Sequence, residues 1–151
     1  MRNGLKFLGH RLHPPLTDFP IALWSVSLLW DGVAFARGDS FWMQFSFWSI
    51  AAGLGAALPA MATGLFDYAA IPEKQRLAER AATRHMLAML CATALFTGSL
   101  IVRVGADTIG SLKMIVAVIL SAVGLAMLLI GGWLGGELVF RHGIGREDGR
   151  E

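Results

Sequence analysis

Four histidines stand in separate segments of the chain: His10 and His13 near the start, His85 past the middle and His142 near the end, with Asp18, Asp67 and Glu137 recurring beside them. Imidazole and carboxylate are ligand types for Zn²⁺ and non-haem iron, so His13, His85 and His142 with Asp67 or Glu137 form one candidate metal set. Imidazole also ligates haem iron axially. On that reading His85 pairs with His13 or His142, while Arg84 and Arg141 hold the propionates. The spacing is loose: there is no His-x-x-x-His, and His10-x-x-His13 is short enough to recur by chance. A third reading needs no ligand, since the same groups can satisfy one another in a hydrogen-bonded lock.

These groups meet only if the chain returns them to one place, and its composition indicates how. Of 151 residues, 55% are apolar and 16% charged, and the mean hydropathy is +0.57, outside the ordinary composition of soluble domains. Four apolar stretches each reach the roughly 17 to 25 residues that a helix needs to cross about 30 Å of hydrocarbon. The expected fold is all-α: an integral membrane four-helix bundle, up-down-up-down, in one domain over 1–151, with spans at about 18–36, 41–67, 77–104 and 112–140.

The first span is expected to open at Thr17 or Asp18 as N-cap, with Pro20 in the first turn, where its missing N–H costs nothing. No small-residue cleavage site follows it, so the span is expected to be retained. Asp31 falls near its far end, about 20 Å from Asp18, close to the opposite interface, where it is expected to pair with Arg37 or to be hydrated. The second span opens on Phe41, Trp42, Phe45, Phe47 and Trp48, an aromatic girdle. Further along, Ala52, Ala56, Ala60 and Gly64 fall four apart and Ala51 with Gly55 begins a parallel row, faces on which another helix can approach closely. Pro59 is expected to kink this span.

Pro72-Glu73 reads as a helix start. The segment that follows is longer than the bilayer needs, so its first turns, with Arg76, Arg80 and Arg84 on one ridge, are expected at anionic lipid headgroups. His85 has mostly small helical neighbours, which turns it toward the bundle interior. Arg103 to Lys113, with Gly105, Asp107 and Gly110, makes the second outer turn. The fourth span carries two Gly-x-x-x-Gly registers, 131/135 and 132/136, beside Glu137, which can pair with Arg141 one turn on. Gly143 and Gly145 terminate it, and 146–151 is expected to be a polar, disordered tail.

Orientation follows from the basic residues. Of 13 Lys and Arg, residues 2, 6, 11, 74, 76, 80, 84, 141, 146 and 150 fall on one side of this topology, while Arg37, Arg103 and Lys113 fall on the other. The positive-inside rule puts both termini in the cytoplasm, with all four histidines and Asp18, Asp67 and Glu137 on that side. A net charge of +2, set by topology rather than gathered into a patch, argues against a nucleic-acid partner and leaves the lipid bilayer as the expected one. The lone Cys91 excludes a disulfide, a Cys-based zinc site and covalently attached haem. No serine elbow, phosphate loop or pair of catalytic carboxylates is present, and four spans without an inverted repeat make poor transporter material, so enzyme and transporter rank last.

The residues also carry a resemblance. His13-Pro14, Asp18-Phe19-Pro20-Ile21, Gly64-x-x-Asp67 with Tyr68, His85, and the closing run from Gly132-Trp133-Leu134-Gly135-Gly136-Glu137 to Arg141-His142-Gly143-Ile144-Gly145 together resemble the bacterial membrane family catalogued as domain of unknown function 2231, over nearly the whole chain. The family pattern often shows a second histidine in the opening motif, where this chain has Asp18. The resemblance implies a four-span protein of the bacterial inner membrane. Its relatives sometimes occur fused to Rieske-type or cytochrome-like domains, which implies an electron-transfer setting and partner. The expected function is a redox-associated membrane component that binds haem b or a divalent metal ion through the cytoplasmic-side cluster. The alternative is a structural subunit or anchor with no ligand. The small-residue faces of spans two and four serve either the bundle itself or a homodimer.

Overall fold

The computed structural model describes residues 6–7, 10–106 and 108–144, so the expectations for Arg2, Asp107, Gly145 and the tail 146–151 lie outside the described residues. Four helices follow one another: α1 (His13–Arg37), α2 (Phe41–Ala69), α3 (Arg76–Arg103) and α4 (Leu112–Phe140). Each is long and apolar enough to cross a membrane. Ahead of them β1 (Lys6–Phe7) pairs antiparallel with β2 (His10–Arg11).

Two helix starts differ from expectation. α1 begins at His13 with Leu12 as N-cap, because Pro14 and Pro15 fit a first turn whose N–H groups have no helical acceptor. Thr17 therefore lies inside the helix, its hydroxyl donating to the Pro14 carbonyl at 2.7 Å, and Pro20 is a buried interior residue. α3 begins at Arg76, after a turn over 72–75. The loops have local causes. Gly38 closes α1 in the left-handed conformation at φ 64°, and the Ser111 hydroxyl caps α4 by accepting from the Met114 N–H at 3.3 Å.

α1 packs chiefly on α2, and α3 on α4. His13 meets Ala60 near the end of α2, whereas Trp30 stacks on Trp42 near its start, so the two helices are antiparallel. Close approach keeps the second half of the row expected in α2, Ala60 and Gly64, and replaces its first half with Gly53. Ala52 is exposed and nothing lies near Gly55, whereas Gly53 receives the Trp24 indole and Gly64 the His13 ring. In α4 the 131/135 register is the packing one: Met89 fills Gly131 and His85 lies on Gly135, while Gly132 faces open space.

The two hairpins repeat one pattern. A shift of 72 positions, the separation of Asp31 from Arg103, carries His13 onto His85, Trp24 onto Phe96, Ser27 onto Ser99 and Ala34 onto Ala106. A shift one residue shorter carries Met43 onto Met114, Gly53 onto Gly124, Ala60 onto Gly131 and Gly64 onto Gly135. Equivalent helices run the same way, so this is a parallel repeat about an axis along the bundle, not the inverted kind. Equivalent residues meet across that axis in three layers. His13 and His85 have ring centres 6.5 Å apart, Trp24 and Phe96 stack at 4.7 Å, and Asp31 binds Arg103. At 1.5 Å of rise per residue the layers are separated by about 16 Å and about 10 Å.

Candidate functional site

The histidine layer is built twice from the same parts. His13, the first residue of α1, donates from Nδ1 to the Ala60 carbonyl at 2.8 Å. Its ring lies on Gly64, one turn further along α2, so closely that a Cβ there would stand 2.8 Å from Cε1. His85 donates from Nδ1 to the Gly131 carbonyl at 2.7 Å and lies on Gly135, where a Cβ would stand 3.2 Å from Cε1. A carbonyl only accepts, so in each neutral imidazole Nδ1 carries the proton and Nε2 the lone pair. Neither Nε2 has a hydrogen-bond partner among the described residues. The two rings stand at 85° to one another. A ring fixed by its Nδ1–H on a backbone carbonyl, with Nε2 left over, is the arrangement metal-ligating histidines use.

The other expected site residues are placed differently. Asp67 is taken up by Arg11, Nη1 to Oδ1 at 3.4 Å, in a partly buried pair, and the Arg11 Nε beside it is buried without a partner among the described residues. Glu137 pairs with Arg141 at 2.8 Å, as its spacing indicates. His142 is half-buried at the end of α4, while His10, Asp18 and Arg84 are exposed. Of the five expected metal ligands, His13 and His85 come together. Among the described residues, no three His, Cys, Asp or Glu side chains are grouped as a metal ion requires.

At the opposite end of the axis Asp31 corrects the sequence reading. Its partner is Arg103, not Arg37: Nη1 donates to Oδ1 at 2.8 Å and Nη2 to Oδ2 at 2.7 Å, with the side chains only 3% and 2% exposed for Arg103 and Asp31. Arg37 lies over the Trp42 ring instead. Ser99 accepts from the Arg103 Nε at 3.2 Å and Ser121 from Nη2 at 3.3 Å, and the two hydroxyls bond each other at 2.8 Å. Arg103 thus belongs to the bundle interior rather than to a surface turn. The signal in the sequence was Ser99-x-x-x-Arg103, a hydroxyl one turn before a guanidinium on the same face.

No curated protein and no solved structure matches the chain. A family model described as a predicted membrane protein, DUF2231, matches residues 9–148, which takes in both hairpins and every layer of the axis. The chain belongs to the DUF2231 family of predicted membrane proteins.

Proposed function

We propose that the protein is a redox-associated component of the bacterial inner membrane that holds a b-type haem between its hairpins, with His13 and His85 as the axial pair and both termini in the cytoplasm. The observation that supports this is the meeting of two equivalent imidazoles across the seam, each anchored through Nδ1–H and each with Nε2 left over. Donor chemistry favours haem over a bare ion. Zinc takes three or four protein ligands, whereas a porphyrin brings its own nitrogens and asks the protein only for axial ones. His13 and His85, with ring centres 6.5 Å apart, would hold the group from the two sides of the seam, and the group would supply the iron.

When bound, the haem supplies a one-electron couple. The chain's own residues prepare the site. The Ala60 and Gly131 carbonyls fix tautomer and ring orientation. Gly64 and Gly135 give the rings room, and the Trp24–Phe96 stack closes the seam further into the bundle. The unpartnered Arg11 Nε, close in sequence to His13, is the first candidate for a propionate, with Arg84 and Arg141 as further cations. An electron-transfer protein docking at the cytoplasmic rim completes the reading.

The test is an absorption spectrum of detergent-purified protein, as isolated and after addition of haemin. A Soret band lost in both His13→Ala and His85→Ala supports the proposal; a flat spectrum under both conditions removes it. A second reading, the ligand-free lock, draws on the same Nδ1–H bonds into neighbouring helices. It predicts a flat spectrum, with His85→Ala lowering the unfolding temperature.

A further inference from the structure

We propose a second ligand site at the other end of the bundle, for the head group of a lipid-soluble quinone; it stands apart from the haem reading. The repeat is broken around Ala34 and Ala106. On one side of the axis Ala34 is packed into an apolar cluster with Met43 and Met114, against which Trp42, Ile109 and Val118 lie. On the other side its equivalent, Ala106, lines a cavity of about 210 Å³ with Ser40, Gln44, Phe47, Arg103 and the same two methionines. Gln44 stands where the second hairpin has Ile115, and Phe47 where it has Val118. A plug on one side has become a hollow on the other, and the substitutions add an amide and an aromatic ring.

The chemistry of the wall selects the guest. Asp31 neutralises Arg103, so the cavity offers hydrogen-bond donors with little net charge, and an anion gains little there. Of the five guanidinium donors, four meet oxygen: Nε on Ser99, Nη2 on Asp31 and Ser121, and one N–H of Nη1 on Asp31. The remaining contact, from Nη1 to the Met114 thioether at 3.9 Å, is with a weak acceptor. A carbonyl oxygen in the cavity can take that donor. Phe47 and the two thioethers are soft, polarizable surfaces for a flat ring. Ser40 and Gln44, both exposed, offer polar groups for a second ring oxygen at the mouth. The space takes one substituted ring, and the tail of such a molecule stays outside in lipid.

Purified protein in detergent is titrated with a short-tailed quinone, read by tryptophan quenching and by equilibrium dialysis. Saturable binding is expected. Ala106→Phe, which fills the cavity, abolishes it, and Gln44→Leu weakens it at least tenfold. Ile115→Phe, at the position equivalent to Gln44, leaves it unchanged. Should Ala106→Phe fail to fold, Gln44→Leu at the exposed mouth carries the comparison. Partitioning that never saturates, or saturable binding equal in Gln44→Leu, overturns the proposal. Displacement of the quinone by equal concentrations of thiocyanate overturns the choice of a neutral guest.

Discussion

Asp31 and Arg103 occupy one and the same position in the two hairpins, and their side chains close on each other across the axis at 2.8 and 2.7 Å. Strict symmetry there would pair two acids or two bases inside an apolar bundle. The two hairpins carry opposite charges there instead, and the fork geometry satisfies both oxygens of the carboxylate.

Removing either charge strands the other. Asp31→Asn and Arg103→Ala should each cost about 3–5 kcal/mol, the usual penalty for half of a buried pair, seen as a lower unfolding temperature in detergent. Because the positions are equivalent, Asp31→Arg combined with Arg103→Asp should recover at least half of that loss. Recovery stays incomplete, since Ser99 and Ser121 remain on the α3–α4 side. A double variant no more stable than the singles counts against the equivalence.

The hydroxyls around the pair should rank by what they bond. Ser99 serves the Arg103 Nε, the Ala117 carbonyl and Ser121, so Ser99→Ala leaves a buried charged donor unmet at about 1–3 kcal/mol. Among the described residues its equivalent Ser27 bonds only the Trp24 carbonyl of its own helix, and Ser27→Ala should cost less than half as much in the same melting experiment.

At the histidine end the carboxylates should matter less for stability. Glu137 pairs with the largely exposed Arg141, and such pairs contribute about 0–1 kcal/mol; Asp67 and Arg11 are partly buried and meet at the longer distance of 3.4 Å, which keeps their pair below the fully buried Asp31–Arg103 pair. Glu137→Gln should accordingly melt close to the parent, and Asp67→Asn between the parent and Asp31→Asn. A loss from Asp67→Asn as large as that from Asp31→Asn would show that the ranking of the two ends is inverted.

The architecture was legible because span length and hydropathy are local properties: α4 runs from Leu112 to Phe140, the very bounds its apolar run implies. The inward face of His85 was legible too, from the small residues around it. Asp31 misled because its nearest cation in sequence, Arg37, is not its neighbour in space. The repeat stayed hidden for a related reason. Its equivalent pairs share a role rather than a residue type, a flat ring at Trp24 and Phe96 or a charge at Asp31 and Arg103. Only Gly53/Gly124 and Gly64/Gly135, His13/His85, Ser27/Ser99 and a few others are identical, too sparse a set to stand out without knowing which face is buried. Which Gly row packs was equally unreadable, since 131/135 and 132/136 have the same spacing and only the rotation of α4 separates them.

Gly64 and Gly135 are equivalent, yet the structure distinguishes them. An added Cβ stands 2.8 Å from the His13 ring at Gly64 and 3.2 Å from the His85 ring at Gly135. The first is inside contact distance, and the ring it meets is held by the Ala60 carbonyl, so Gly64→Ala must break that bond or push α2 away from α1. The second asks for a few tenths of an ångström. Stability should fall more for Gly64→Ala than for Gly135→Ala, while Gly55→Ala and Gly132→Ala, which face open space, should equal the parent or gain up to about 1 kcal/mol from helix propensity. That order follows from packing alone and holds with or without a ligand. Soret absorbance per chain separates the readings. If His13 and His85 share an iron, Gly64→Ala loses haem more steeply than it loses stability, because tilting one axial ring misaligns it long before the hairpins part. An absorbance that merely tracks the folded fraction across all four variants would place any haem away from this seam.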